Sequence, residues 1–243
     1  MTSPSESSDS QVGDFARIIQ AKVGGECPLI VGGHAVNLWA LAYRSRLGPA
    51  IETFLPFTSK DLDVFGTRAL LDQLHREFGG EKRLAEPRDP VIGFIETNLD
   101  GRLRKIEVLH TLRGLRAADL RDAVPLKVGP LTARVLSPQK LLKSKIANAA
   151  TLDQQDRNDV KHLRMILLCL REFIADFAAG VQAGKIAPRA LVNLLEEMRS
   201  TISSAEASRA ASLWQIDFSG VWPIEQLIAL HDDKVSRFLA RRL

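Results

Sequence analysis

Two aspartates, Asp61 and Asp63, stand two residues apart in the stretch TSKDLDVFG, framed by Leu62, Val64 and Phe65. The apolar frame predicts a short strand. Side chains of an extended strand alternate sides, so both carboxylates share one face while Leu62 and Val64 share the other and can enter a core. Carboxylates side by side raise each other's pKa, and a divalent cation removes that conflict. Mg²⁺ suits such a pair: it takes a few carboxylate oxygens, keeps several waters and bridges to substrate phosphates. The pattern alone equally fits a strand-start acid beside an ordinary surface acid.

Two further stretches bear on the choice. LIVGGHAVNLWA places Gly32 and Gly33 between an apolar strand and a helix. Glycines there let backbone N–H groups approach a ligand closely, and a helix start favours phosphate. A plain strand–helix turn uses the same residues. His34 follows, as a phosphate contact or as a structural hydrogen bond at the helix start.

A third carboxylate comes from VIGFIETNLDGRLRKIEVLH, where two alternating apolar runs flank Asp100-Gly101, a type I′ hairpin turn. That turn sets Glu107 opposite Phe94 and Glu96 opposite Lys105. Ile106, Val108, Ile95, Gly93 and Val91 form the apolar face. Glu107 projects from the other face, where it either completes a two-metal site or stands on solvated sheet.

The elements that must hold these residues follow from periodicity and punctuation. A helix is expected over residues 14–22, then a strand at CPLIVGG and a helix over HAVNLWALAYRS. RLGPAIETFLPFT reads as a loop with two prolines. TRALLDQLHREFGG is a helix from a Thr67 cap to a Gly79 stop. AVPLKVGPLTARVL holds a third short strand pair. Ser137 and Pro138 open the next helix as cap and first residue. From there helices are expected near 138–150, 154–178, 188–202, 205–214 and 223–241. The class is α+β: a mixed sheet with flanking helices over 13–136, then a helical domain over 137–243, after a disordered tail over 1–12.

The chain has 243 residues, 45% hydrophobic and 26% charged, with formal net charge +4. That charge permits a nucleotide or nucleic-acid partner without demanding one. Cys27 and Cys169 lie far apart and lack metal-ligand spacing, which speaks against a disulfide framework. No apolar run is long enough to span a bilayer, and MTSPSESSDSQ lacks the blocks of a signal peptide. The expected location is cytoplasmic. His75, His110, His162 and His231 form no metal-spaced set, and Trp39, Trp214 and Trp222 read as packing residues.

Taken in order, Gly32-Gly33, Ser59-Lys60-Asp61-Leu62-Asp63 and Glu107 resemble the DNA polymerase beta-type nucleotidyltransferase superfamily. The segment VLSPQKLLKSKIANAATLDQQDRNDVKHL is similar to one in AbiEii-type abortive-infection nucleotidyltransferase toxins. There a helix carrying Lys145 precedes a helix carrying Asp156-Arg157-Asn158-Asp159-Val160 and Leu163. The resemblance covers roughly residues 28–165. By spacing alone, Lys145 and Asp159 each border an apolar stripe and fit a half-buried ion pair, while Lys140 and Lys143 point elsewhere.

The resemblance implies an enzyme that moves a nucleotidyl group from an NTP to a tRNA, protein or small-molecule acceptor. Asp61, Asp63 and Glu107 would bind two Mg²⁺ ions. Gly32, Gly33, His34, Ser59 and Lys145 would hold the nucleotide, with Asp159 positioning Lys145. A toxin role with a cognate antitoxin belongs to the same implication. The chain departs from the pattern at Phe57, where relatives often carry Arg, at His34, and at Glu107, which replaces the more usual Asp. Arg44 or Arg46 is expected to stand in for the missing arginine. The alternative is a nucleotidyltransferase-fold module that binds a partner without catalysis. A metal-dependent nuclease using the same acids is a third reading.

Overall fold

The computed structural model describes residues 10–23, 25 and 27–242. Residues 1–9 of the expected tail lie outside them. The remainder of that tail is structured, which corrects the expectation. Ser10–Gln11 (β1) pairs with a strand at Thr58–Ser59, and a 3-10 turn over Val12–Phe15 leads into Ala16–Gln20 (α1).

Next come Leu29–Ile30 (β2), Gly32–Leu47 (α2), Pro49–Glu52 (α3), Thr58–Ser59 (β3) and Leu62–Phe65 (β4). Arg68–Phe78 (α4), Glu81–Leu84 (β5), Val91–Leu99 (β6) and Arg102–Leu109 (β7) follow, then Ala123–Val128 (β8) and Leu131–Leu136 (β9). The rest is helical: Pro138–Thr151 (α5), Asp159–Gln182 (α6), Pro188–Ile202 (α7), Ala205–Trp214 (α8), Ile224–Ile228 (α9) and Asp233–Arg242 (α10).

Among the described residues, seven strands form one mixed sheet in the order β5-β6-β7-β4-β2-β9-β8. The pairs β4/β7 and β2/β9 are parallel, and the others are antiparallel. This is the expected α+β arrangement, a mixed sheet with flanking helices and a helical C-terminal region.

The hairpin forms as its turn dictates. Asp100 and Gly101 both have positive φ, +52° and +82°, as a type I′ turn requires. Phe94 faces Glu107 and Glu96 faces Lys105. One residue leaves the expected apolar face. The ladder is irregular between Val91 and Gly93, so Val91 pairs with Leu109 and shares the face of Glu107. Ile95, Ile106 and Val108 keep the core side, fully buried with Leu62 and Val64.

Other expectations need correction. The loop after α2 contains a helical turn, α3, with Pro49 at its start and Gly48 at φ +52° before it. Strand β5 reads EKRL and lacks an apolar face. It is an edge strand, where charged residues are tolerated because one side meets solvent. Helix α6 starts at Asp159 rather than at 154, because Asp156 takes a left-handed conformation at φ +61°. The last expected helix breaks in two, and Asp232 Oδ1 caps α10 by accepting from the Lys234 and Val235 N–H groups at 2.9 and 3.1 Å. Ser137 occupies the cap position of α5, yet its hydroxyl makes no cap bond.

One apolar cluster joins Ile30, Val64 and Val135 of the sheet to Leu142, Ile166 and Leu170 of the helices. The change near residue 137 is therefore one of element type, with a continuous core across it. Trp39 of α2 is the main tie: its indole N–H donates to the Leu136 carbonyl at 3.0 Å, and Phe173 of α6 meets its ring edge-on at 5.5 Å. Trp214 donates to the Ala149 carbonyl at 2.9 Å, and Trp222 rests on Phe238. The tryptophans pack, as their sequence context predicts. Among the described residues, no helix is long and apolar enough to cross a membrane.

Candidate active site

The parallel ladder of β4 and β7 makes Asp63 and Glu107 direct neighbours. Adjacent strands lie about 4.8 Å apart, so two side chains at one register position, on one face, meet. Asp61 is two residues before Asp63 on the same face. One carboxylate oxygen from each of Asp61, Asp63 and Glu107 lies within 4.8 Å of the others. The sequence-predicted acids therefore converge.

The paired glycines stand beside them, but their first neighbours are protein atoms. Val31 N–H donates to the Asp63 carbonyl at 3.0 Å, which brings the start of α2 onto β4. Gly33 N–H donates to the Asp63 carboxylate. Gly32 has φ +63°, and a Cβ there would overlap the Asp63 carboxylate. At Gly33 a Cβ would collide with the Ser59 hydroxyl and sit 2.7 Å from His162 Cε1. Both positions thus require glycine so that Asp63, Ser59 and His162 can close on the helix start.

Lys145 and Asp159 meet from α5 and the first turn of α6, with Nζ to Oδ1 at 2.7 Å. Asn148 donates to the same oxygen at 3.1 Å, and Arg157 Nε to the other at 2.7 Å. Both members of the Lys145–Asp159 pair are buried. Burial alone would raise the Asp159 pKa, but Lys145, followed by Arg157 and Asn148, holds it well below the usual carboxylate range.

The acid cluster has the opposite electrostatics. Burial pushes Asp61 up to about 6, helped by the Glu107 charge and opposed by Lys105. Asp63 is raised well above its ordinary value, by burial first and then by Asp61 and Glu107. Lys105 bonds Glu107, stands 4.0 Å from Asp61, and lies 4.5 Å from the centroid of the Phe94 ring. It touches the cluster from the flank. Three carboxylates with Lys105 as their one ion-pair partner, lining an open cavity, are an oxygen-donor set that fits a hard divalent cation.

Two cavities meet at this cluster, and both are lined by Asp61, Asp63, Lys145 and Arg157. The smaller, about 430 Å³, is closed by Gly33, Ser59, Lys60, Asn158 and His162. The larger, about 610 Å³, is lined by Gly32, Glu107, Arg88 and Arg113 over apolar Val91 and Leu112.

Several expected site residues lie elsewhere. His34 turns into the core, edge-on to Phe15 at 5.0 Å, and burial lowers it to about 3. It lines neither cavity because the helix start presents Gly33 there and rotates the next residue inward. Arg44 is held by Glu52, and Arg46 by Glu172 and Asp176, so neither stands in for the arginine absent at Phe57. Arg88, Arg113 and Arg157 supply the cleft's guanidinium groups instead. Asp156 sits in a left-handed turn before α6 rather than on it. Lys140, expected to point away from the stripe that Lys145 borders, is buried among Asp119, Asp122 and Glu197. Sequence reasoning missed His162; its spacing of three from Asp159 was the available signal.

No family model matches the chain, and no curated protein matches it. Among solved structures it is similar to an antigenic nucleotidyltransferase-like protein from Paracoccidioides brasiliensis. Identity is 18% and the TM-score 0.36, over 58% of this chain and 66% of that one, just under two thirds of its length.

Proposed function

We propose that this chain is a Mg²⁺-dependent nucleotidyltransferase. The observation that carries the reading is the convergence of Asp61, Asp63 and Glu107 beside a glycine-started helix, with a polar cavity on one side and a partly apolar one on the other. Asp61, Asp63 and Glu107 would hold up to two Mg²⁺ ions. When bound, those ions supply charge neutralisation at the reacting phosphate and activation of the attacking oxygen.

The polar cavity, with Gly33, Ser59 and the cations Lys60 and Lys145, takes the polyphosphate. The acceptor hydroxyl enters through the larger cavity and attacks the α-phosphorus. The new bond joins acceptor oxygen to phosphorus, the bond to the bridging oxygen breaks, and pyrophosphate leaves in line. Glu107 takes the hydroxyl proton, steadied by Lys105. Lys145, fixed by Asp159, neutralises the leaving charge. The acceptor is a tRNA, a protein or a small molecule, and a cytoplasmic toxin restrained by a cognate antitoxin is the corresponding biological setting.

The test is incubation with each labelled NTP, Mg²⁺ and cell extract, together with calorimetry of Mg²⁺ and NTP. Label should pass to one acceptor class, and Asp61→Ala with Asp63→Ala should abolish transfer. NTP binding without transfer supports the non-catalytic binding module, which the flanking Lys105 and the residue at Phe57 favour. RNA cleavage with Mg²⁺ and no NTP supports the nuclease. Absence of both NTP and Mg²⁺ binding ends the proposal.

A further inference from the structure

His162 lies on α6 one turn beyond Asp159, so both project from one face of the helix. The side chain is 2% exposed and lines the 430 Å³ cavity with Gly33, Ser59 and Lys145. Its Nε2 is fully buried and has no hydrogen-bond partner. Buried polar atoms are nearly always paired, and an orphan is costly, so one in a cleft calls for an absent partner. The ring also dictates the second glycine, since a Cβ at Gly33 would press on its Cε1. A structural histidine would be an expensive way to fill that space.

The cavity identifies the partner's chemistry. Its lining sets Gly33, Ser59, Lys60, Lys145 and Arg157 beside the carboxylates of Asp61, Asp63, Asp156 and Asp159, and apart from the His162 ring it holds no aromatic or branched aliphatic side chain. Its donors and cations stand beside four carboxylates, so a phosphate chain enters it as a Mg²⁺ complex, and no apolar surface is present for a base to stack on. Apolar contact is confined to the neighbouring cavity, at Val31, Val91, Leu109 and Leu112. Burial, then the charge of Lys145, keeps the imidazole neutral. A neutral ring still carries one N–H to donate.

We infer that His162 is a polyphosphate-binding residue, its Nε2–H donating to a non-bridging oxygen of the phosphate chain that Lys145 neutralises. The inference rests on the nucleotidyl-transfer reading for the identity of the ligand, and on geometry alone for the phosphate chemistry.

The experiment is calorimetry on the full chain with Mg²⁺ and three probes: an NTP, inorganic tripolyphosphate and the matching nucleoside. Wild type is compared with His162→Leu, which removes the nitrogens, and His162→Gln, whose amide places a donor near Nε2. His162→Leu should weaken NTP and tripolyphosphate about tenfold and leave the nucleoside unchanged. The metal-free thermal midpoint should hold or rise, because a buried orphan has gone. His162→Gln should stay within about threefold of wild type. If His162→Leu does not fold, His162→Phe replaces it, keeping a ring without nitrogen.

Equal tripolyphosphate affinity in wild type and His162→Leu overturns the inference, and so does parallel weakening of all three probes. If wild type binds tripolyphosphate but no NTP, the transfer reading fails while the tripolyphosphate comparison still decides His162. If wild type binds neither, both fall.

Discussion

Asp119, Asp122 and Glu197 surround the ammonium of Lys140, a buried lysine of α5. Its Nζ lies 2.9 Å from Asp119 and 3.3 Å from Asp122, and it bonds Glu197. Asp61, Asp63 and Glu107 are also three carboxylates near α5, but among the described residues Lys105 alone meets them, bonding Glu107 and standing 4.0 Å from Asp61, and no ion pair reaches Asp63. Lys105 reaches Glu107 from outside, and Lys145 is drawn to Asp159. The consequences run in opposite directions. Burial works against Asp119, but the Arg116 N–H and Lys140 hold its pKa far below the ordinary carboxylate range. Burial and mutual repulsion raise Asp61 and Asp63. Acids that the protein itself neutralises are structural. Acids left in mutual conflict inside a cleft are the ones that could take a cation from solution, as the proposed function requires.

The largest test of this contrast is on turnover. Lys145→Met should cost roughly a hundredfold in nucleotidyl transfer, the order seen when one charge-stabilising donor is lost. Lys140→Met should leave NTP affinity as in wild type. Reversal of the two would exchange the roles assigned to them.

Stability comes next. Lys140→Met removes the cation that Asp119 and Glu197 share, leaves Asp119 with Lys143 at 3.3 Å and the Arg116 N–H, and should cost about 2 kcal/mol in urea unfolding. Asp63→Asn should cost nothing, since it removes a repulsive charge. A strongly destabilised Asp63→Asn would mean that the cleft acids hold the fold together.

The smallest effect is in pH. Asp61 binds its proton more tightly folded than unfolded, so its contribution is full below the ordinary aspartate range and is lost as pH rises through about 6. Asp119 and Asp159 are depressed, so theirs is constant over that window and lost only in stronger acid. Buried His34 and His162, held neutral in the fold, add stability as pH rises over the same window in wild type and variant alike, so the metal-free thermal midpoint of the wild type should fall by roughly 5 °C from pH 5 to pH 7 relative to that of Asp61→Asn/Asp63→Asn, and Mg²⁺ should remove the difference at pH 7. The same slope in Asp61→Asn/Asp63→Asn would place its origin outside the cleft.

The strand pairing that builds the site was legible because its determinants are local. Asp100-Gly101 fixes the hairpin, the hairpin fixes which face Glu107 occupies, and alternation does the same for Asp61 and Asp63. The Lys145–Asp159 pair was legible from helical spacing against an apolar stripe. What escaped depends on contacts distant in sequence. Lys140 looks solvated until Asp119, Asp122 and Glu197 arrive from two other segments. Arg44 and Arg46 looked available until Glu52 of α3 and the acids of α6 took them. His162 reads as one more helical residue until Gly33 brings the start of α2 against it. Val91 changed faces through a ladder irregularity that no periodicity announces.

The spacing of Asp63 from Glu107 has a consequence of its own. It is set by peptide groups bonded across β4 and β7, not by the shapes of surrounding side chains. Backbone rungs keep their separation whichever residues hang from them. Evolution can therefore rewrite most of the wall around this cleft and leave the separation of its two acids unaltered, so that the shape of the cleft can diversify while its carboxylate pair stays put.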